Sequence, residues 1–127
     1  LELAASSARI YGPRIVFESN HNNLGFWSHA DDRAEWTVQV ARGGEYEVWI
    51  EYACDNATAG NEFLLTLGTE TLRGVVKGTG TWDDYATTKF GSVTLKAETV
   101  EGAFASAASP RSFLIDLRRV ILKPAAR

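Results

Sequence analysis

From Glu45 to Cys54 the chain alternates without a break. Tyr46, Val48, Ile50 and Tyr52 share one face, while Glu45, Glu47, Trp49 and Glu51 share the other. Successive side chains point to opposite faces only in a strand, so this stretch is a half-buried antiparallel strand. Glu35–Val40 carries the same period, with Trp36, Val38 and Val40 in phase, and Ala41-Arg42-Gly43-Gly44 supplies the turn between the two. Further strands are expected over Glu62–Leu67, Thr71–Lys77, Tyr85–Phe90, Ser92–Leu95, Val100–Ser106 and Phe113–Leu122. In the last of these the apolar phase slips near Arg118-Arg119, which predicts a bulge. Arg14–Glu18 reads as a short β run, Ser19–Arg33 as a polar loop, Leu1–Ser7 as a lead-in and Pro124–Arg127 as an exit. No stretch carries a helix of useful length; Ala103–Ala108 is short and Pro110 follows it. Eight or so strands at this spacing predict an all-β, two-sheet antiparallel β-sandwich of the jelly-roll kind, one domain over residues 1–127.

Composition narrows the function classes. Thirteen Lys and Arg against 16 Asp and Glu leave a net charge of −3, which offers no general attraction for a polyanion and argues against a nucleic-acid binder. No apolar run approaches the ~20 residues of a membrane-spanning helix. The single cysteine, Cys54, excludes an internal disulfide and a multi-thiolate zinc site. The chain begins at Leu1 and holds no methionine, so excision from a longer polypeptide is expected.

The residues that could carry chemistry lie mostly in two loops, with Glu18, Asp55, Glu62 and Asp116 as further acidic candidates near expected strand ends. Asp31-Asp32 and Asp83-Asp84 are adjacent carboxylates; neighbours on a strand point opposite ways, so turn formation, solvation or oxygen ligation of calcium is favoured over an acid–base dyad. His21 and His29 lack a third ligand in any zinc spacing, and Cys54 reads as a small apolar residue at a strand end. Gly78-Thr79-Gly80-Thr81-Trp82 lacks the Lys of a phosphate loop and no helix follows it. Its tryptophan, with Phe26-Trp27 in the other loop, is the informative feature. Large aromatic rings in polar loops either fold inward to cap the sandwich or bind a ligand, and flat rings suit the C–H faces of sugars. For Trp27 and Trp82 both readings stand open, whereas Trp36 has the phase of a core residue. Asn56-Ala57-Thr58 is a glycosylation sequon and marks a surface loop.

The order of these elements resembles a galactose-binding-like jelly roll and, more narrowly, the family 6 carbohydrate-binding modules. The matching pieces are Val16-Phe17-Glu18, Gly25-Phe26, Glu35-Trp36-Thr37-Val38, Gly43-Gly44-Glu45-Tyr46, Tyr52-Ala53-Cys54, Gly60, Gly78–Trp82 and Ile115-Asp116. The resemblance implies a non-catalytic module that anchors a larger secreted, periplasmic or cell-surface protein to polysaccharide or oligosaccharide, alongside that protein's other domains. It implies a sugar ring stacked between Phe26 or Trp27 and Trp82, with Asp83, Asp84, Asn23 or Asp31 orienting it. It also implies a structural calcium between Glu18 and Asp116, tying the first strands to the last. The family's Asn before Ile-Asp is Leu114 here, which favours a second reading: an interaction domain that has kept the fold and lost the sugar site. A hydrolase is disfavoured, since no Gly-x-Ser-x-Gly elbow is present.

Overall fold

A computed structural model describes residues 1–125. Eleven strands form it: β1 (Glu2–Ala4), β2 (Arg9–Tyr11), β3 (Val16–Glu18), β4 (Asn23–Gly25), β5 (Arg33–Gln39), β6 (Gly44–Ala53), β7 (Glu62–Leu67), β8 (Glu70–Val75), β9 (Ala86–Leu95), β10 (Thr99–Ser106) and β11 (Asp116–Pro124). The only helical turn among the described residues is the 3-10 turn Ala5–Ser7. One sheet runs β3-β4-β11-β6-β9, with β1 paired to β11, and the other runs β2-β5-β10-β7-β8. Every strand ladder is antiparallel. This is the two-sheet sandwich that the period-two pattern predicts.

The alternating residues fill the space between the sheets. Trp36, Val38 and Val40 from one sheet meet Tyr46, Val48, Ile50 and Tyr52 from the other, all buried. Phe63 and Phe104 stack at 4.9 Å, and Trp27 tilts against Phe104 at 5.5 Å. The bulge expected near Arg118 is present as a register shift between Leu117 and Arg119. It resolves a conflict in the pattern. An unbroken strand with Leu117 inward would turn Arg119 inward too; the extra residue instead brings Val120 and Leu122 into the core. A second shift at Gly91 joins the two segments expected around it into the single strand β9.

Three expectations need correction. The lead-in is a strand: Leu3 is wholly buried, and Glu2–Ala4 pairs with Ile121–Arg119 of β11. The loop Ser19–Arg33 contains β4, whose Asn23, Leu24 and Gly25 are all buried between β3 and β11. The final strand begins at Asp116 rather than Phe113, which leaves Phe113 in the loop before it. Of the expected exit, Pro124 closes β11, and Ala126 and Arg127 lie outside the described residues.

Candidate functional site

At one end of the sandwich β3, β4 and β11 bring three segments together, and the loop between β8 and β9 reaches the same place. A pocket of about 240 Å³ opens there, lined by Glu18, Phe26, Trp82, Phe113 and Asp116. Phe113 stands edge-to-face to both Phe26 and Trp82, with ring centroids 6.2 Å apart in each pair and interplanar angles of 85° and 90°. Phe26 is 54% exposed, and Trp82 is half-buried against the core. The volume falls below the ~300 Å³ where drug-sized sites begin, so the pocket suits one small ring.

Each aromatic wall is held by its loop. Phe26 sits in the left-handed region at φ +54°, a conformation that costs a non-glycine residue about 1–3 kcal/mol. The next residues hold it there. Trp27 is fully buried and its indole N–H donates to the Asp32 carbonyl at 3.0 Å. The buried Asp32 carboxylate accepts backbone N–H groups from Arg14 at 3.0 Å, Ser28 at 3.1 Å and His29 at 3.0 Å. The Leu114 N–H donates to the Trp27 carbonyl at 2.8 Å, which ties the Phe113 loop to the Phe26 loop. The Trp82 loop is pinned by Thr79, whose hydroxyl accepts the Cys54 N–H at 2.9 Å, and by a paired exchange between Asn56 and Gly80. Gly80 has φ +122°, and a Cβ there would lie 2.5 Å from Asp84 Oδ2, so this position requires glycine.

The sequence candidates separate into those at the pocket and those elsewhere. Phe26 and Trp82 line it, as do Glu18 and Asp116. Asp83 is exposed and close enough for its charge to act on Asp116. Trp27 is not a stacking surface; its ring is locked in the core by Phe104 and Asp32. Asn23 is buried, its amide donating to Glu18 Oε1 at 2.9 Å, so it reaches no solvent ligand. Asp84 accepts the N–H and hydroxyl of Thr81 at 2.8 and 3.0 Å and organises its own turn. Asp31 is exposed, lies 3.8 Å from His29 Nδ1, and is not among the lining residues. Nothing in the sequence marks Phe113 as a site residue, because it falls in apolar phase with Ile115 and Leu117. Ser112, at φ +62°, immediately precedes it in the loop between β10 and β11. Leu114 is wholly buried, so its side chain does not reach the pocket.

The electrostatics of the pocket are one-sided. Burial, then the charges of Glu18 and Asp83, push the Asp116 carboxyl up to about 7. Among the described residues no ion pair includes Glu18, Asp83 or Asp116. Arg118, two residues along β11, is committed elsewhere: to Glu51 at 3.3 Å, to the His21 carbonyl at 3.1 Å and to the face of Tyr85 at 3.7 Å. Asn23 Oδ1 is buried with no partner. These hard oxygens have the right chemistry for calcium but are few. No group of three or more His, Cys, Asp or Glu is arranged for a metal among the described residues, and calcium takes six to eight oxygens. Water would have to supply the remainder. Glu18 and Asp116 also face the aromatic pocket rather than a closed seam between strands.

Remaining candidates have structural roles. Trp36 is buried and its indole donates to the Ala4 carbonyl at 2.8 Å. Trp49 lies half-buried on the outer face, with Lys123 Nζ 4.4 Å above its ring. Cys54 is buried, which together with Asp55 and Asp116 pushes its thiol up to about 11, so it is no nucleophile.

No protein-family model matches the chain, and no curated protein matches it. Solved structures do. A family 35 carbohydrate binding module from Clostridium thermocellum superposes with TM-score 0.78 at 14% identity, covering 97% of this chain and 98% of that one. The chain shares the fold of these modules. A second family 35 module, from Cellvibrio japonicus Abf62, gives TM-score 0.76 at 15% identity, covering 99% and 95%. A Podospora anserina GH26-CBM35 β-(1,4)-mannanase gives 0.72 at 14% identity, where this chain covers 28% of the enzyme's length.

Proposed function

We propose that the chain is a non-catalytic carbohydrate-binding module that holds a sugar ring in the pocket between Phe26, Trp82 and Phe113. The observation that carries this reading is the pocket itself: three aromatic rings from three loops, beside two carboxylates, at the open end of the sandwich. Rings stacking on sugar C–H faces supply the attraction, and polar groups at the rim fix orientation. So small a site binds one epitope weakly, at about 10 µM to 1 mM, and attachment to a polymer gains strength from repeated engagement. The fold likeness to whole family 35 modules supports this class; kinship with family 6 rests on the order of the sequence motifs alone. Service as an anchor for a larger secreted protein is part of the same proposal.

Affinity electrophoresis through a panel of polysaccharides tests it. Retardation by at least one glycan, lost in Trp82→Ala, is the expected result. No retardation by any glycan supports the second reading, an interaction domain without a sugar site, which the burial of Leu114 in place of a polar contact favours.

A calcium ion held by Glu18 and Asp116 is the alternative occupant proposed for these two carboxylates. Its role would be to neutralise the carboxylates. With two protein carboxylates, such a site is of the weak class, around 10⁻⁴–10⁻³ M. Thermal melting in millimolar calcium and in chelator tests it: a midpoint raised by calcium supports the ion, and identical midpoints remove it.

A further inference from the structure

We propose that the sugar this pocket selects carries its own positive charge: an amino sugar with a free amine, its ammonium placed between Glu18 and Asp116 and its ring on Phe26, Trp82 and Phe113. The inference rests on the carbohydrate-binding reading and adds the class of sugar.

Three observations converge on it. Two carboxylates line the pocket and a third, Asp83, stands within electrostatic reach, with no cation paired to any of them among the described residues. The remaining walls are aromatic, and Phe and Trp faces attract a cation as well as C–H groups. The pocket, at about 240 Å³, gives room for one sugar ring against its aromatic walls.

The alternatives meet this lining less well. A neutral hexose can hydrogen-bond the two carboxyl groups but brings no charge to pair with the one that stays ionised, so its desolvation goes without a Coulombic return. A uronic acid would add a fourth negative charge. Calcium alone satisfies the carboxylates, yet it makes no use of three aromatic rings and finds few further oxygens. An ammonium group donates three hydrogen bonds, and an amino sugar carries an apolar C–H face on the same small ring. The net charge of −3 also favours approach to a polycation.

The test is isothermal titration at neutral pH in chelator. The probes are β-1,4-linked glucosamine oligomers, the same oligomers fully N-acetylated, and neutral glucose oligomers. The free-amine oligomer is expected to bind at least about tenfold more tightly than the other two. Asp116→Asn and Glu18→Gln, which preserve shape, should each lower that affinity about tenfold. Glu45→Gln removes a charge at the far end of β6 and should leave it unchanged, which excludes attraction to the whole acidic surface. Added calcium should compete with the amine. Equal or tighter binding of the N-acetylated or neutral oligomers overturns the amino-sugar assignment while leaving carbohydrate binding intact, as does binding that requires calcium. Failure of every glycan here and across the polysaccharide panel overturns both. The comparison between probes needs no variant, so a variant that does not fold leaves the test decisive.

Discussion

Glu18 and Asp116 converge on one glycine. They come from the end of β3 and the start of β11, and Gly25 of the intervening strand β4 lies between them. A Cβ built on Gly25 collides with Glu18 Oε1 and lies 3.0 Å from Asp116 Oδ1. The missing side chain is what allows two carboxylates to share one pocket wall.

Gly25→Ala is therefore expected to act on the pocket more than on the fold. The atom it strikes is the end of a flexible side chain, so Glu18 swings aside and breaks its 2.9 Å hydrogen bond from Asn23. A loss of about 1 kcal/mol of stability is expected, with a larger effect on ligand affinity. Chemical denaturation alongside ligand titration checks the split. A fully folded variant with unaltered affinity would show that the carboxylate pair plays no part in binding.

Asp116 makes stability depend on pH in the direction opposite to most carboxylates. Its carboxyl goes from an ordinary 3.8 in the unfolded chain to about 7 in the folded one. Between those values the folded state holds the proton more tightly, so this group's contribution to stability falls as pH rises through the window and has fallen fully above about 7. In chelator, the melting midpoint should drop between mildly acidic and mildly alkaline buffer. Asp116→Asn should flatten that slope and raise the midpoint at the alkaline end. An unchanged slope in the variant would assign the pH dependence to other groups.

The two loop tryptophans should separate cleanly. Trp82 is half-buried and lines the pocket; Trp27 is fully buried against Phe104. Trp82→Ala is expected to abolish glycan retardation and keep a cooperative melt. Trp27→Ala removes a buried ring and should cost about 3–5 kcal/mol, enough to unfold a marginal domain. Circular dichroism melts of both variants, run beside the affinity gel, distinguish these outcomes.

Legibility in the sequence followed the length of the alternating pattern. β6 and β7 stand within a residue of the expected Glu45–Cys54 and Glu62–Leu67, because six or more residues in period two admit few other folds. The slip at Arg118-Arg119 was readable for the same reason. β1 and β4 were not: three residues carry no period, and Asn23-Leu24-Gly25 has turn composition. The site was half readable. Aromatic residues in polar loops mark an end of the sandwich, but nothing in Gly25-Phe26-Trp27 says which ring turns outward. That is decided by the left-handed backbone at Phe26 and by the Asp32 carbonyl that draws Trp27 inward. Phe113 was hidden by sharing the phase of the core residues that follow it.

Asp32 is expected to be the positioning residue on which the pocket depends most, although it touches no ligand. It is fully buried, and its carboxylate holds the backbone on both sides of the Phe26 loop through Arg14, Ser28 and His29. Gly12 packs so closely on it that a Cβ there would lie 2.5 Å from Asp32 Cα. Asp32→Ala strands three backbone N–H groups and should cost roughly 3 kcal/mol. Asp32→Asn keeps the shape but turns an amide N–H₂ toward a donor, so it too should destabilise. The discriminating measurement is affinity under conditions where the Asn variant is fully folded. Loss of binding there, with the Trp82 fluorescence environment altered, identifies a residue that positions Phe26. Native affinity in a destabilised Asp32→Asn would restrict Asp32 to holding the fold.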